Sequence, residues 1–407
     1  MQLLAIETSC DETAAAVVAD SGDPARPWDV RSNIVASQVE IHRAWGGVVP
    51  ELASRQHVRD ICGVVDRALE EADTGWDGLD AIAVTQGPGL VGSLLVGVAF
   101  AKAAAASRGL PLVGVQHLAG HIESLVVEGG AMPLPAVVLV VSGGHTNLYL
   151  VAGEAADGTL ACRLIGKTRD DAAGEAYDKV ASLLGLSYPG GPVIDKLSRT
   201  ANDRAVDFPY ARMTHDDRNA PPEGARPAGI AATRRLRELE FSFSGLKTSV
   251  KRHVQRRVAE QEGRDVQARP GAPDDMAGHA AAQGAAPQGA AASENRPDTA
   301  AALSEAEVAD ICASFQRVVV DTLLDRTFLA ARRYGARSVG ISGGVSANSR
   351  LRADATTRAE QAELPLFLPS MALATDNAAM IGAAGLRLLH AGITAPLDLN
   401  ARASLPL

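Results

Sequence analysis

Short apolar runs and longer stretches of helical periodicity alternate along the first third of the chain. Gln2 to Ile6, Ala14 to Ala19, Asp80 to Thr85, Leu112 to Val115 and Ala136 to Val141 read as strands. Between them, Pro50 to Ala72 carries apolar residues at helical spacing. Val91 to Ala106 is a small-residue helix after the turn Gln86-Gly-Pro-Gly89. The alternation predicts an α/β sheet flanked by helices. Only Glu7 to Thr13 separates the first two strands, too little chain for a parallel crossover, so that pair must be antiparallel.

The theme returns further along. Val137 to Val141 and Asn147 to Val151 flank Ser142-Gly-Gly-His-Thr146 as a second hairpin, followed by a helix over Asp170 to Leu184 that Gly185, Pro189, Gly190 and Gly191 close. Ser338 to Ile341 then leads through Ser342-Gly-Gly-Val-Ser346 into a helix over Arg350 to Gln361. Two lobes, each opening with strand, polar turn and strand, predict an internally duplicated fold. One stretch fits neither. Between Val266 and Leu303 the one sizeable apolar side chain is Met276, in a background of Ala, Gly, Pro and Gln. Such a segment buries too little surface to offset its ordering entropy, so 263–302 is expected to be a disordered insertion.

Composition bounds the function. The chain has 407 residues, 46% hydrophobic and 21% charged, ample for a core spread over two or three units. No continuous apolar run reaches membrane-span length, and Met1-Gln-Leu-Leu-Ala-Ile6 runs straight into a strand without the basic start of a signal peptide. Cys10, Cys62, Cys162 and Cys312 lie far apart with no Cys-x-x-Cys pair, which fits a reducing cytoplasm and no membrane association. A net charge of −9 argues against broad nucleic-acid binding but leaves room for a local basic patch.

The sharpest chemical signal is His117-Leu-Ala-Gly-His121. On a helix this spacing puts both imidazoles on one face, Cβ atoms roughly 5–6 Å apart, where they can chelate one transition metal. A zinc-protease helix would carry its glutamate base immediately after the first histidine, and Leu118 stands there. Two histidines need company, and a carboxylate is the expected third ligand.

Three polar turns offer further chemistry. Glu7-Thr-Ser-Cys-Asp-Glu-Thr13 gathers hydroxyls with Asp11 and Glu12, able to face a phosphate or orient a nucleophile, or simply a polar hairpin capped by Asp11. The glycine pairs after Ser142 and Ser342 let backbone approach a ligand closely, and two of them after equivalent strands favour a nucleotide between the lobes. His145 reads equally as a ligand contact or a turn residue. Taken singly, other polar residues read as structural. Asp178 and Asp195 would be surface ion-pair partners of the neighbouring Lys179 and Lys196, and Asn348 and Asp376 helix caps. After Phe241-Ser-Phe-Ser-Gly-Leu-Lys-Thr248 comes a helix bearing Lys247, Lys251, Arg252, Arg256 and Arg257, with Arg234, Arg235 and Arg237 just upstream. It is either a phosphate-backbone contact or a solvated face.

Together these segments resemble the TsaD family, with its Kae-type homologues, formerly called O-sialoglycoprotein endopeptidases. The matching stretches run in order: Glu7 to Thr13, His117 to His121, Val141-Ser-Gly-Gly-His145, Asp170 to Asp178, Tyr188-Pro-Gly-Gly-Pro192, Phe241 to Lys247, Ser342 to Asn348 and Thr375-Asp-Asn377. The resemblance implies a two-lobed α/β fold of the actin/Hsp70/sugar-kinase type, with duplicated RNase H-like lobes and a cleft between them. Residues 1–134, completed by 375–407, would form one lobe and 135–374 the other. It implies transfer of a threonylcarbamoyl group from threonylcarbamoyl-AMP to N6 of the tRNA adenosine 3′ of the anticodon, position 37, in tRNAs reading codons that begin with A. His117, His121 and Asp376 would bind one divalent ion, iron or zinc. Val141, Ser142, Gly143, Gly144, His145, Asp178, Gly191, Asp195 and Asn348 would hold the adenylate. A separate synthase would supply that adenylate, and TsaB-like and TsaE-like proteins would be partners. Asp11 and Glu12 are the candidate proton acceptors; Lys247, Lys251 and Arg252 are the candidate tRNA contacts. A metalloprotease, a small-molecule kinase and a non-enzymatic actin-like scaffold are the competing readings.

Overall fold

A computed structural model describes residues 1–210, 238–261 and 303–407. The 263–302 segment and Arg234, Arg235 and Arg237 lie outside the described residues.

Strands β1 (Gln2–Glu7), β2 (Glu12–Asp20), β3 (Trp28–Ser37), β4 (Ala81–Gly87) and β5 (Leu112–Gln116) form one sheet in the order β3-β2-β1-β4-β5. Strands β6 (Ala136–Val141), β7 (Thr146–Glu154), β8 (Leu160–Lys167), β9 (Ser338–Ser342) and β10 (Leu366–Phe367) form another in the order β10-β9-β6-β7-β8. In each, the first three strands in sequence pair antiparallel and the last two run parallel to the first. The expected hairpins and duplication are therefore present as one topology used twice. Edge strands β3 and β8 were not expected. Their sequences, with Asp29, Arg31 and Asn33 or Arg163 and Lys167, lack the apolar run of a buried strand because a sheet edge half faces water.

Among the described residues the longer helices are α1 (Pro50–Glu71), α2 (Val91–Arg108), α3 (His117–Gly129), α4 (Ala173–Leu183), α5 (Gly190–Ser198), α6 (Ser244–Gln261), α7 (Glu305–Tyr334), α8 (Ser349–Gln361) and α9 (Ala378–His390). Their ends carry recognisable signals. Pro50 starts α1, Gly109 closes α2 in the left-handed conformation, and Ser304 with Glu307 forms a capping box on α7. The helix expected from Asp170 begins later, at Ala173, because Asp170 is used elsewhere. Its carboxylate accepts from the N–H groups of Phe243 and Ser244 and from the hydroxyls of Ser242 and Ser244.

Strand alternation sorts side chains into separate cores. Leu4, Ile6, Val17, Ile82 and Val84 pack under α1 and α2, whereas Leu3, Ala5, Val18, Ala83 and Val115 face α3 and α9. In the second sheet Ala136, Val138 and Val140 join that same middle core, while Val137, Leu139 and Val141 face α4 and α7. Helices α3 and α9 thus lie between two sheets, and strands buried on both faces explain the unbroken apolar runs. Helix α2 has the length and hydropathy of a membrane span. Its Ser93, Leu94, Gly97, Val98, Ala101 and Ala105 are buried within the fold.

The middle layer is close-packed through glycine. A Cβ on Gly120 of α3 would stand 2.8 Å from Ile381 Cδ1, and one on Gly382 of α9 would stand 2.4 Å from Val18 Cγ2. Val18 is stiff at χ1 and fully buried, so it has little room to yield. Gly382→Val should lower unfolding stability by about 1–3 kcal/mol through overpacking, seen as a lower denaturant midpoint.

Candidate metal centre and acyl-adenylate cleft

His117 and His121 occupy the first turns of α3, immediately after β5, and Asp376 precedes α9. Since α3 and α9 pack together, residues more than 250 positions apart meet. The ligand atoms of His117, His121 and Asp376 all lie within 4.8 Å of one another. Asp376 Oδ1 is 3.6 Å from His117 Nε2 and 3.2 Å from His121 Nε2. The expected cap role of Asp376 is corrected here. Asn377 caps α9 by accepting from the Met380 N–H, which frees Asp376 to face the histidines.

The donor set fits a divalent cation. Both ring nitrogens of His121 are buried without a hydrogen-bond partner, since Asp376 is near Nε2 but not aligned to accept from it. Orphaned buried nitrogens are costly, and a cation taking the Nε2 lone pair removes that cost. Two imidazoles and a carboxylate suit a borderline transition metal.

Electrostatics tell the same story. Burial disfavours the His117 cation, but the charges of Asp376 and Glu7 overcome it and lift its pKa to about 9. Burial lowers the pKa of His121, which stays neutral. Burial likewise opposes ionisation of Asp376, yet the two histidines hold it below the usual carboxylate range. His145, in the turn between β6 and β7, is pushed down to about 4 by burial and then by the nearby His117 charge. That interaction brings the turn of the second sheet up to the histidines of the first.

Around this centre the three turns converge. Ser342 Oγ lies 2.9 Å from Ser124 Oγ of α3, and the Gly174 N–H donates to the Ser142 carbonyl. Gly343 has φ +91°, and a Cβ there would meet the Val141 carbonyl at 2.4 Å, so the two glycine turns are nested against each other. Ahead of Gly143, Gly144 and Gly191, a Cβ would meet no atom within 4 Å. Open space therefore lies beside these glycines, which leaves room for a ligand to approach the backbone closely.

Asp178 and Asp195 are not surface ion pairs with Lys179 and Lys196. Lys179 pairs with Asp171 and Glu175, while Asp178 accepts from the Gly190 N–H at 2.8 Å. Burial, offset by that bond and reinforced by Asp11, raises Asp178 to about 6. Asp195 is buried, accepts from the Ser349 hydroxyl and N–H and from Gln316, and pairs with Arg199. Asn348 caps α8 and donates to Gln316 Oε1. Across the cleft, Asp11 and Glu12 stand close enough to Tyr188 to raise its phenol pKa, after burial. Glu12 is itself raised well above an ordinary glutamate by burial, then by Asp11 and Asp376. Arg43 donates to the Tyr188 carbonyl across the same gap. On α6, Lys251 and Arg252 are exposed and Lys247 half-buried, and among the described residues none of the three makes an ion pair, whereas Arg256 and Arg257 pair with Glu260 and Glu307.

Sequence reasoning missed the part played by Glu7, which reaches His117, because a buried glutamate at a strand end carries no local mark of its partner. A separate cavity of about 570 Å³, lined in part by Trp28, Met132, Arg387 and His390, lies at the far ends of α3 and α9 and shares no residue with the metal group.

A duplicated α/β fold, with a His-His-Asp group where two glycine turns of the second sheet approach α3, defines an α/β protein of two like sheets with a candidate divalent-metal site. The family model for TsaD, tRNA N6-adenosine threonylcarbamoyltransferase, matches residues 29–383. The protein of that name from Moorella thermoacetica is 45% identical over 405 residues, covering 100% of this chain and 97% of its own. Its counterparts from Koribacter versatilis, at 43% over 100% of this chain and 98% of their own, and Anaeromyxobacter dehalogenans, at 45% over 98% of each, agree. The chain belongs to the TsaD family of tRNA-modifying acyltransferases.

In the metal-free protein at pH 7, His117, with its pKa near 9, keeps a proton on Nε2 that a cation must displace. Zinc uptake at pH 7 should therefore release protons, measurable by calorimetry in two buffers of different ionisation enthalpy. His121→Ala should abolish stoichiometric uptake, read by metal analysis of the purified protein.

Proposed function

We propose that this chain, acting in the cytoplasm, transfers the threonylcarbamoyl group of threonylcarbamoyl-AMP to N6 of adenosine 37 in tRNAs reading codons that begin with A. A separate synthase supplies the adenylate, and TsaB-like and TsaE-like proteins act with this chain. The observation that carries the reading is the meeting of the His117, His121 and Asp376 group with glycine turns that front open space. Residues 1–134 with 375–407 would be one lobe and 135–374 the other, the adenylate lodging between them.

The adenylate is already activated, so no protein nucleophile is needed. The N6 amine attacks the carbamoyl carbonyl carbon, the new N–C bond forms, the C–O bond to phosphate breaks, and AMP leaves. His117, His121 and Asp376 would hold one divalent ion, iron by preference or zinc, which as a Lewis acid polarises a carbonyl or offsets phosphate charge. Val141 to His145 line the anionic part of the ligand, and the N–H groups of Gly143 and Gly144 donate to developing oxyanion charge. Asp178, Gly191, Asp195 and Asn348 bind the nucleoside end, where carboxylates accept from ribose hydroxyls. The proton from N6 passes to the first turn, where Asp11 and Glu12 are the candidate acceptors. Lys247, Lys251 and Arg252, without ion-pair partners, suit the tRNA phosphate backbone. The protease reading lacks a base, because position 118 is a buried leucine.

Reconstitution with the synthase, partners, threonine, bicarbonate, ATP and unmodified tRNA should yield N6-threonylcarbamoyladenosine on nucleoside analysis. His117→Ala should lose metal and product together; full activity in a demonstrably metal-free variant would defeat the reading. Nucleotide affinity should also follow the ionisation of Asp178, whose folded pKa is about 6. Its acceptor form is lost as pH falls through that value, so AMP binding should weaken below it. Asp178→Asn should remove the inflection, as read by equilibrium titration at several pH values.

A further inference from the structure

We infer that Glu7 is a positioning residue for the metal centre, its buried carboxylate locking His117 in the tautomer that leaves Nε2 free to take a cation. The inference deepens, and rests on, the metal reading above. Glu7 ends β1 and is completely buried. Its Oε2 accepts from His117 Nδ1–H at 3.0 Å and from the Thr85 hydroxyl at 2.6 Å, while its Oε1 accepts from the Ser9 N–H. Donors from β4, the first turn and α3 thus converge on one carboxylate, which cannot rotate without losing a bond. Ser9 Oγ also lies 3.3 Å from His117 Nδ1, so the first turn is tied to the same ring edge.

With the Nδ1 proton committed to Glu7, the lone pair of neutral His117 sits on Nε2, the atom 3.6 Å from Asp376 Oδ1. The opposite tautomer would set a lone pair against a buried carboxylate and point an N–H at the cation. Both ends forbid it. A carboxylate behind an imidazole also makes the ring a stronger donor. His121 has no such support, since neither ring nitrogen has a hydrogen-bond partner. His117 is then the anchored ligand and His121 the one that turns to meet the ion.

The test titrates metal-stripped wild-type and Glu7→Gln proteins with zinc against a chromogenic chelator. Glutamine keeps the shape and an acceptor oxygen but removes the charge. Kd for zinc should rise by about 10- to 100-fold at unchanged stoichiometry, while the metal-free thermal midpoint stays near that of wild type. An unchanged Kd in a folded variant would overturn the inference. Failure of the wild type to bind zinc at all would instead overturn the metal reading beneath it. Nuclear magnetic resonance of zinc-loaded wild type with nitrogen-labelled histidine needs no variant to fold. A His117 proton on Nδ1 is expected, and one on Nε2 would overturn the inference.

Discussion

The packing of α3 on α9 between the two sheets is the contact on which the site depends. Gly120 and Gly382 thin that layer, the first against Ile381 and the second against Val18. Close approach sets the start of α3, with its two histidines, beside the residue that precedes α9. A bulkier residue at position 120 would separate the helices just where the ligands converge. The glycine within the histidine motif therefore has a structural explanation. The motif is shaped for helix contact as much as for metal.

How much of this was legible beforehand depended on whether the signal was local. The spacing of β1 and β2 forces a hairpin by chain length alone, and the register from Gln2 with Ala19 to Glu7 with Ala14 is what that argument demands. The unbroken apolar runs of β1 and β6 were readable because both faces are covered. Edge strands β3 and β8 were not, because their polar faces meet water. Asp376 looked like a cap because it neighbours a real one, Asn377. Asp178 looked like a lysine partner because adjacency in sequence says nothing of a turn bond to Gly190. The resemblance to a known family supplied these pairings; residue pattern alone did not.

Buried charge is the cost this arrangement carries. Glu7, His117 and His121 are buried and Asp376 is partly so, two carboxylates and two imidazoles with one excess proton held by His117. Ionised groups removed from solvent are tolerated only when paired and hydrogen-bonded. Glu7 meets that condition through three donors, whereas Asp376 has only the proximity of two histidines. A cation at the histidine Nε2 atoms compensates Asp376 more fully than a shared proton does. A bound divalent ion would thus relieve the electrostatic cost that the site otherwise carries.

Near that centre Asp11, Glu12 and Asp178 lie within electrostatic reach of one another, in a protein of net charge −9. An adenylate phosphate would be repelled there unless something positive intervened. Under the proposed function, glycine-turn N–H groups and a divalent ion would supply that positive field locally, without basic side chains that would compete for the leaving phosphate. The acids are then free to serve the nucleoside hydroxyls and the departing proton. On the same reading, charge for a polyanionic tRNA would be kept apart, on the α6 cations that make no ion pair among the described residues, so that the small anion and the large one meet different elements. Such a division would let an acidic protein bring two anionic substrates together, each meeting its own compensating charge.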